Sequence, residues 1–295
     1  MMNMPADMRR KLPIGIQSFE FLRSEGYLYI DKTELIYRLV TEGKPYFLSR
    51  PRRFGKSLLL STLEAYFKGK KELFKGLAIE QLEQEWLEYP VLHLDLNAEK
   101  YDSNERLEKM LERQLEGWEA QYGADKGNMT YSGRFSAVIR RAYEQTGHRV
   151  VVLVDEYDKP MLQTFDNPGL QEEFRKTLTA FYTVLKSADP YLQFVFITGV
   201  TKFAQMGIFS TLNQLNDISL DLRELDGIEV SSASLNSYEV NISNIIPIFY
   251  QSGFLTIKAY DDEFREYTLS FPNEEVKYGL LNFVANSGKS YDYCA

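Results

Sequence analysis

The sequence predicts an α/β chain built on a doubly wound parallel sheet, and three observations carry that expectation. Val150-Val151-Val152-Leu153-Val154 is an unbroken apolar run, the mark of a strand covered on both faces. Shorter apolar runs at 46–49, 91–96 and 193–200 read as further strands of the same kind. Between them lie stretches of helical periodicity, and strands separated by helices wind into a parallel sheet.

Each element has its own reason. Residues 27–30 form a short extended piece. Asp31-Lys32-Thr33 is a helix start, with Asp31 or Thr33 as the cap, and the helix over 34–41 ends at Gly43. The strand at 46–49 runs into a basic loop and then a helix over 56–67. Leu107, Leu111, Leu115 and Trp118 recur at helical spacing among charges, which predicts a helix over 104–122. Further helices are expected over 134–145 and 170–188, and a last strand over 216–220. After about residue 221 the character changes. A short helix at 245–250, a hairpin of 254–260 and 265–271 around Asp261-Asp262-Glu263, and a closing helix at 274–285 suggest a small winged-helix-like appendage. The expected domains are therefore 1–221 and 222–295.

Composition narrows the function classes. The 295 residues carry a formal net charge of −8. Residues 1–214 hold 29 basic and 29 acidic side chains, while residues 215–295 hold 5 basic and 13 acidic ones. An acidic tail is a poor grip for nucleic acid, whose phosphates need Lys and Arg. The one cysteine, Cys294, excludes an internal disulfide and a zinc site built on Cys pairs. His93 sits in an apolar run and reads as a strand residue; His148 lies far from it in sequence. No apolar run reaches the roughly eighteen residues of a membrane span, and the N-terminus has no apolar signal core. The expected location is cytoplasmic.

The main chemical signal is Phe47-Leu48-Ser49-Arg50-Pro51-Arg52-Arg53-Phe54-Gly55-Lys56-Ser57-Leu58-Leu59. A phosphate-binding P-loop is a Gly, four free positions and Gly-Lys-Ser/Thr, set between a strand and a helix. Gly55-Lys56-Ser57 stands in that setting, with Arg50 where the first glycine would be. Amides at the start of the helix point at phosphate oxygens, helped by the helix dipole. Gly55 allows close backbone approach, Lys56 reaches the β and γ phosphates, and the Ser57 hydroxyl serves magnesium. Arg52, Arg53, Phe54, Gly55, Lys56, Ser57 and Leu58 are the candidate nucleotide contacts. Gly-Lys-Ser also occurs by chance at helix starts, so the motif needs a second element.

Val150-Val151-Val152-Leu153-Val154-Asp155-Glu156 supplies it. The strand delivers Asp155 to its carboxyl end, where open α/β sheets bind ligands. Asp155, with Ser57, is the candidate magnesium group; Glu156 is the candidate to orient or deprotonate the attacking water. Asp158 and Lys159 follow in the same turn without an assigned role. The strand Phe194-Val195-Phe196-Ile197 ends in Thr198-Gly199-Val200-Thr201-Lys202. Where such a strand lies between the P-loop strand and the Asp-Glu strand, a polar residue here can sense the γ-phosphate. Thr198 is the candidate and Thr201 the second; a Thr capping the next turn is the equal alternative. Tyr27, Tyr29 and Phe19 are candidates to stack on the base.

Five runs resemble the AAA-ATPase-like family of bacterial proteins, which often carry a PD-(D/E)XK nuclease-like domain. They are Leu12-Pro13-Ile14-Gly15-Ile16-Gln17-Ser18-Phe19, Tyr29-Ile30-Asp31-Lys32-Thr33, Ser49-Arg50-Pro51-Arg52-Arg53-Phe54-Gly55-Lys56-Ser57, Val154-Asp155-Glu156-Tyr157-Asp158-Lys159-Pro160 and Ile197-Thr198-Gly199-Val200-Thr201-Lys202-Phe203. Arg50 in place of the first glycine is usual in that family. The resemblance runs to about residue 221 and implies ATP binding on a P-loop ATPase core. In relatives a long helical region follows the strand like 216–220; here Leu225-Asp226-Gly227-Ile228-Glu229-Val230 and Tyr250-Gln251-Ser252-Gly253-Phe254-Leu255 come almost at once. That spacing suggests a shortened lid, and no Asp…Glu-x-Lys arrangement of a nuclease is present. Two functions follow as expectations: an ATPase using Lys56, Ser57, Asp155 and Glu156, or a nucleotide-binding module without turnover. ATP and magnesium are the expected cofactors. Further copies of the chain are candidate partners, and nucleic acid a weaker one.

Overall fold

The computed structural model describes residues 11–42, 45–50, 54–125, 127, 129–164, 166–200, 215–218, 230–231, 255–262 and 266–272. Its contacts cluster into two units. One comprises residues 1–48, 55–199 and 204–217, the other residues 49–54, 200–203 and 218–295.

The first unit opens with helices α1 (Phe19–Ser24) and α2 (Thr33–Glu42), then strand β1 (Pro45–Ser49) and helix α3 (Lys56–Phe67). Helix α4 (Ile79–Leu82), strand β2 (Val91–Asp95), and helices α5 (Asn104–Tyr122) and α6 (Tyr131–Thr146) follow. Strand β3 (Val150–Asp155), helices α7 (Lys159–Gln163) and α8 (Pro168–Ser187), strand β4 (Leu192–Gly199) and strand β5 (Asn216–Asp217) complete it. The sheet order is β2-β3-β4-β1-β5. The ladders β2–β3, β3–β4 and β1–β5 are parallel, as the run of valines in β3 anticipates. Strand β4 thus lies between the Gly-Lys-Ser strand and the Asp-Glu strand.

Alternation along the strands sorts residues onto two covered faces. Leu92, Leu94, Val150, Val152, Val154, Val195 and Ile197 share one buried core with the inner faces of α5, α6 and α8. Helix α5 contributes Leu107, Leu111, Leu115 and Trp118, the residues its spacing singles out. On the opposite face, Phe67 at the end of α3 lies 5.0 Å, ring to ring, from Phe194, and Tyr46 lies 5.8 Å from Phe194. Helices on both faces make the sheet doubly wound. Helix ends are capped where short polar residues stand: Thr130 accepts from the Gly133 amide and Asn167 from the Leu170 amide.

The N-terminal segment is tied down by its polar residues. Asp31 accepts from the amide of Thr33 at 2.9 Å and from that of Ala78 at 2.7 Å, and Thr33 Oγ1 accepts from the Ile79 amide. Arg23 donates to the Leu73 carbonyl, and the Phe19 amide to Ser61 Oγ on α3. Asp31-Lys32-Thr33 therefore starts α2 as expected and also staples it to the chain after α3.

In the second unit, β6 (Val230–Ser231), β7 (Thr256–Asp261) and β8 (Glu266–Ser270) form an antiparallel sheet of order β6-β8-β7. The β7–β8 pairing is the hairpin expected around Asp261-Asp262-Glu263. Leu255, Ile257, Tyr267 and Leu269 form its core. The helices expected at 245–250 and 274–285, and Gly43, lie outside the described residues.

Candidate functional site

Three strand and helix ends converge at the carboxyl edge of the sheet. Helix α3 starts at Lys56 with Gly55 as its cap, at φ 76° and ψ 15°. That left-handed conformation is one an L side chain resists, which is why glycine stands there. The cap offers no side-chain acceptor, and the first turn holds no acidic residue. The positive end of the helix is therefore not neutralised by its own sequence.

A carboxylate from another element meets the side chain of the helix's first residue. Lys56 Nζ lies 3.1 Å from Glu156 Oε1, with the Lys56 side chain 3% and that of Glu156 13% exposed. Glu156 immediately follows β3, and its backbone stands at φ 54°. For a residue with a Cβ this conformation costs about 1–2 kcal/mol, so its surroundings must hold it there.

Asp155, the last residue of β3, is buried, and Thr198 in β4 is fully buried. The Thr198 hydroxyl donates to Asp155 Oδ1 at 2.6 Å and accepts from the Glu156 amide at 3.4 Å. A charged acceptor makes the first of these a strong bond. Thr198 thus joins the two acidic residues. Asp155 also pairs in register with Asp95, the last residue of β2, whose carboxylate caps the Asn97 amide.

Of the residues singled out by sequence, the structure brings Gly55, Lys56, Asp155, Glu156 and Thr198 to one edge. Ser57 and Leu58 are half-buried in the first turn of α3, and Phe54 is exposed just before it. Arg52, Arg53 and Thr201 lie outside the described residues. Phe19 is corrected: it is fully buried, its ring 5.2 Å from Tyr29 and 4.9 Å from Phe74, so it has no face left for a base. Tyr29 is half-buried in the same cluster, and burial, the largest influence on it, pushes its hydroxyl pKa up.

Sequence reasoning missed a second polar cluster on α3. His93 Nδ1 lies 2.9 Å from Glu64 Oε2, and Lys68 Nζ 2.6 Å from Glu64 Oε1. The hydrogen bond to His93, above all, and then Lys68 hold the Glu64 carboxyl down at about 2, against the opposing pull of burial. Gln114 donates to the His93 carbonyl at 3.0 Å, which fixes the strand beside it. No pattern in the sequence marks His93, because its partner lies 29 positions away.

The sequence profile described as "Predicted AAA-ATPase" matches residues 13–209, which take in α1 to β4 and every residue of this edge. The chain belongs to the AAA-ATPase-like family. A protein of Azotobacter chroococcum mcd 1, described as "Uncharacterized protein in vnfD 5'region", is 41% identical over 216 residues, covering 73% of this chain and 42% of its own length. The chain thus spans about two-fifths of that relative's length. Membership of the AAA-ATPase-like family supports a nucleotide-binding, ATPase-like function. Among the described residues no helix is long and apolar enough to cross a membrane.

Proposed function

We propose that this member of the AAA-ATPase-like family binds ATP with magnesium and hydrolyses it. The observation that carries the reading is the Lys56–Glu156 pair at the carboxyl edge of the sheet, 3.1 Å apart and nearly buried. A lysine at an uncapped helix start is built to meet an anion, and here the carboxylate of Glu156 stands where a phosphate oxygen would. The amides from Gly55 to Leu58, with Phe54, Arg52 and Arg53 ahead of them, are the nucleotide contacts we assign.

The donors fit magnesium. Ser57 offers a hydroxyl and Asp155 a buried carboxylate, hard oxygens that suit this ion. Among the described residues no group of three or more His, Cys, Asp or Glu could hold a metal. Magnesium takes most of its shell from water and phosphate oxygens, so few protein ligands suffice. When bound, magnesium supplies charge neutralisation on the phosphates. The chain's own residues do the rest. Lys56 leaves Glu156 for the β and γ phosphates, and Glu156, so released, orients the attacking water and accepts its proton. Thr198 holds Asp155 and the Glu156 amide, so it reads the γ-phosphate through both.

The test is phosphate release from ATP by the purified chain, with and without magnesium. Release that needs magnesium and disappears in Glu156→Gln supports turnover. A second reading, a nucleotide-binding module without turnover, is favoured by one observation: the carboxylate that would activate water is held by Lys56. ATP binding with no phosphate release would select it. Neither reading needs residues 222–295, which we assign as a shortened lid or winged-helix-like appendage. We propose a cytoplasmic location and further copies of the chain as partners, with nucleic acid the weaker candidate.

A further inference from the structure

The turn after Glu156, Tyr157-Asp158-Lys159, belongs to the motif the sequence singles out, yet none of its residues has a part in the proposed chemistry. The turn is fastened on both sides. Toward β4, the Tyr157 amide donates to the Thr198 carbonyl at 2.9 Å. The Tyr157 ring is fully buried and lies edge-on to Phe47 of β1, 5.4 Å between centroids. It occupies a notch that exists because position 199 is glycine. A Cβ there would come within 2.8 Å of Asp158 Oδ1 and closer still to two ring carbons of Tyr157. Toward β2, Lys159 Nζ donates to Asn97 Oδ1 at 2.8 Å and also to the Asn97 carbonyl. Within the turn, the Lys159 amide donates to the Glu156 carbonyl at 3.0 Å.

Between these fastenings sits Glu156 at φ 54°, a conformation that persists only when its neighbours over-determine it. We infer that Gly199, Tyr157, Lys159 and Asn97 are positioning residues for Glu156. They lock the turn to β4 on one side and to the residues just past the end of β2 on the other, and so aim the Glu156 carboxylate at the start of α3. The catalytic consequence rests on the ATPase reading; the positional claim does not. A misplaced carboxylate costs rate at the chemical step while leaving ground-state nucleotide contacts in place.

Lys159→Met removes the β2-side fastening from the exposed end of the turn, where folding is not at stake. Gly199→Ala fills the notch. Gly117→Ala, on the exposed face of α5 with open space before it, is the control. Two readouts are taken for each variant: ATP affinity against turnover, and the crystal structure. Both Lys159→Met and Gly199→Ala are expected to lower kcat by about tenfold or more while ATP affinity holds or tightens by up to about tenfold. In their crystal structures the Lys56 Nζ–Glu156 Oε1 separation is expected to exceed its present 3.1 Å, with Glu156 out of the left-handed region. Wild-type turnover in both variants overturns the inference. So does an unchanged Glu156 in the Lys159→Met crystal structure, which decides the matter even if Gly199→Ala does not fold. If the wild-type chain releases no phosphate at all, the ATPase reading falls, and the crystal comparison alone still decides the positional claim.

Discussion

Helix α3 carries two side-chain pairs centred on a carboxylate, and they are built for different ends. Near its C-terminal half, Glu64 meets His93 in the body of strand β2, backed by Lys68 one turn on. At its N-terminus, Lys56 meets Glu156 beyond the end of β3, where the chain leaves ordinary backbone geometry. The first pair joins groups on regular elements with local support and no strain. The second joins groups whose surroundings favour an anion from outside: an uncapped helix end and a buried lysine. The same kind of contact therefore reads as structure in one place and as a held-ready site in the other.

The difference breaks or holds under substitution. The largest expected effect is on ligand binding. Lys56→Ala should weaken ATP binding by about a hundredfold or more, measured by calorimetry, because a charged hydrogen-bonding group on the phosphates is lost. Its fold should survive at a cost in thermal stability, because a buried side chain is lost and Glu156 is left without this partner. Next, Glu64→Ala should cost about 1–3 kcal/mol of stability in urea unfolding, because it leaves a half-buried His93 nitrogen without its acceptor. ATP affinity in this variant should stay as in the wild type.

The same pair gives a pH signature. The folded-state value of Glu64, about 2, lies below its ordinary 4.5. Its stabilisation is therefore complete above pH 4.5 and lost as pH falls through 2. The stability gap between wild type and Glu64→Ala should narrow over that window and stay flat above it. A gap that widens toward acid would refute the assignment.

A smaller effect is expected at Glu156→Gln. Removing the carboxylate that competes for Lys56 should tighten ATP binding by about three- to tenfold while abolishing turnover, since a held-closed state taxes affinity by its population. The smallest belongs to Arg134 and Glu119, a two-bond pair on the helical layer with contacts of 2.7 and 2.8 Å. Glu119→Gln should cost about 1 kcal/mol or less, and less still at high salt.

How much of this was legible in the sequence follows the same division. Regular elements were readable wherever pattern and caps agreed. The five-residue apolar run of β3, the α3 span 56–67 and the α5 span 104–122 match their expectation because local chemistry dictates them. Strand β5 was expected over 216–220, and Asn216–Asp217 are its described part; both are poor strand formers, and their pairing comes from β1 beside them. The site residues were legible as types, since Gly-Lys-Ser and Asp-Glu advertise their chemistry. Their partners were not. Lys56 and Glu156 are a hundred positions apart, and only the order of strands brings them together. The positive φ of Glu156 was invisible too, because no glycine marks it. The wrong expectation at Phe19 has the same root: an aromatic before the P-loop strand looks alike whether it packs under α3 or faces a ligand.

The most direct test is a crystal structure of the chain with magnesium and a non-hydrolysable ATP analogue. The expected result is a cation flanked by Ser57 Oγ and Asp155, with Lys56 withdrawn from Glu156 and bonded to the phosphates. A nucleotide bound elsewhere, with the 3.1 Å Lys56–Glu156 pair intact, would contradict it.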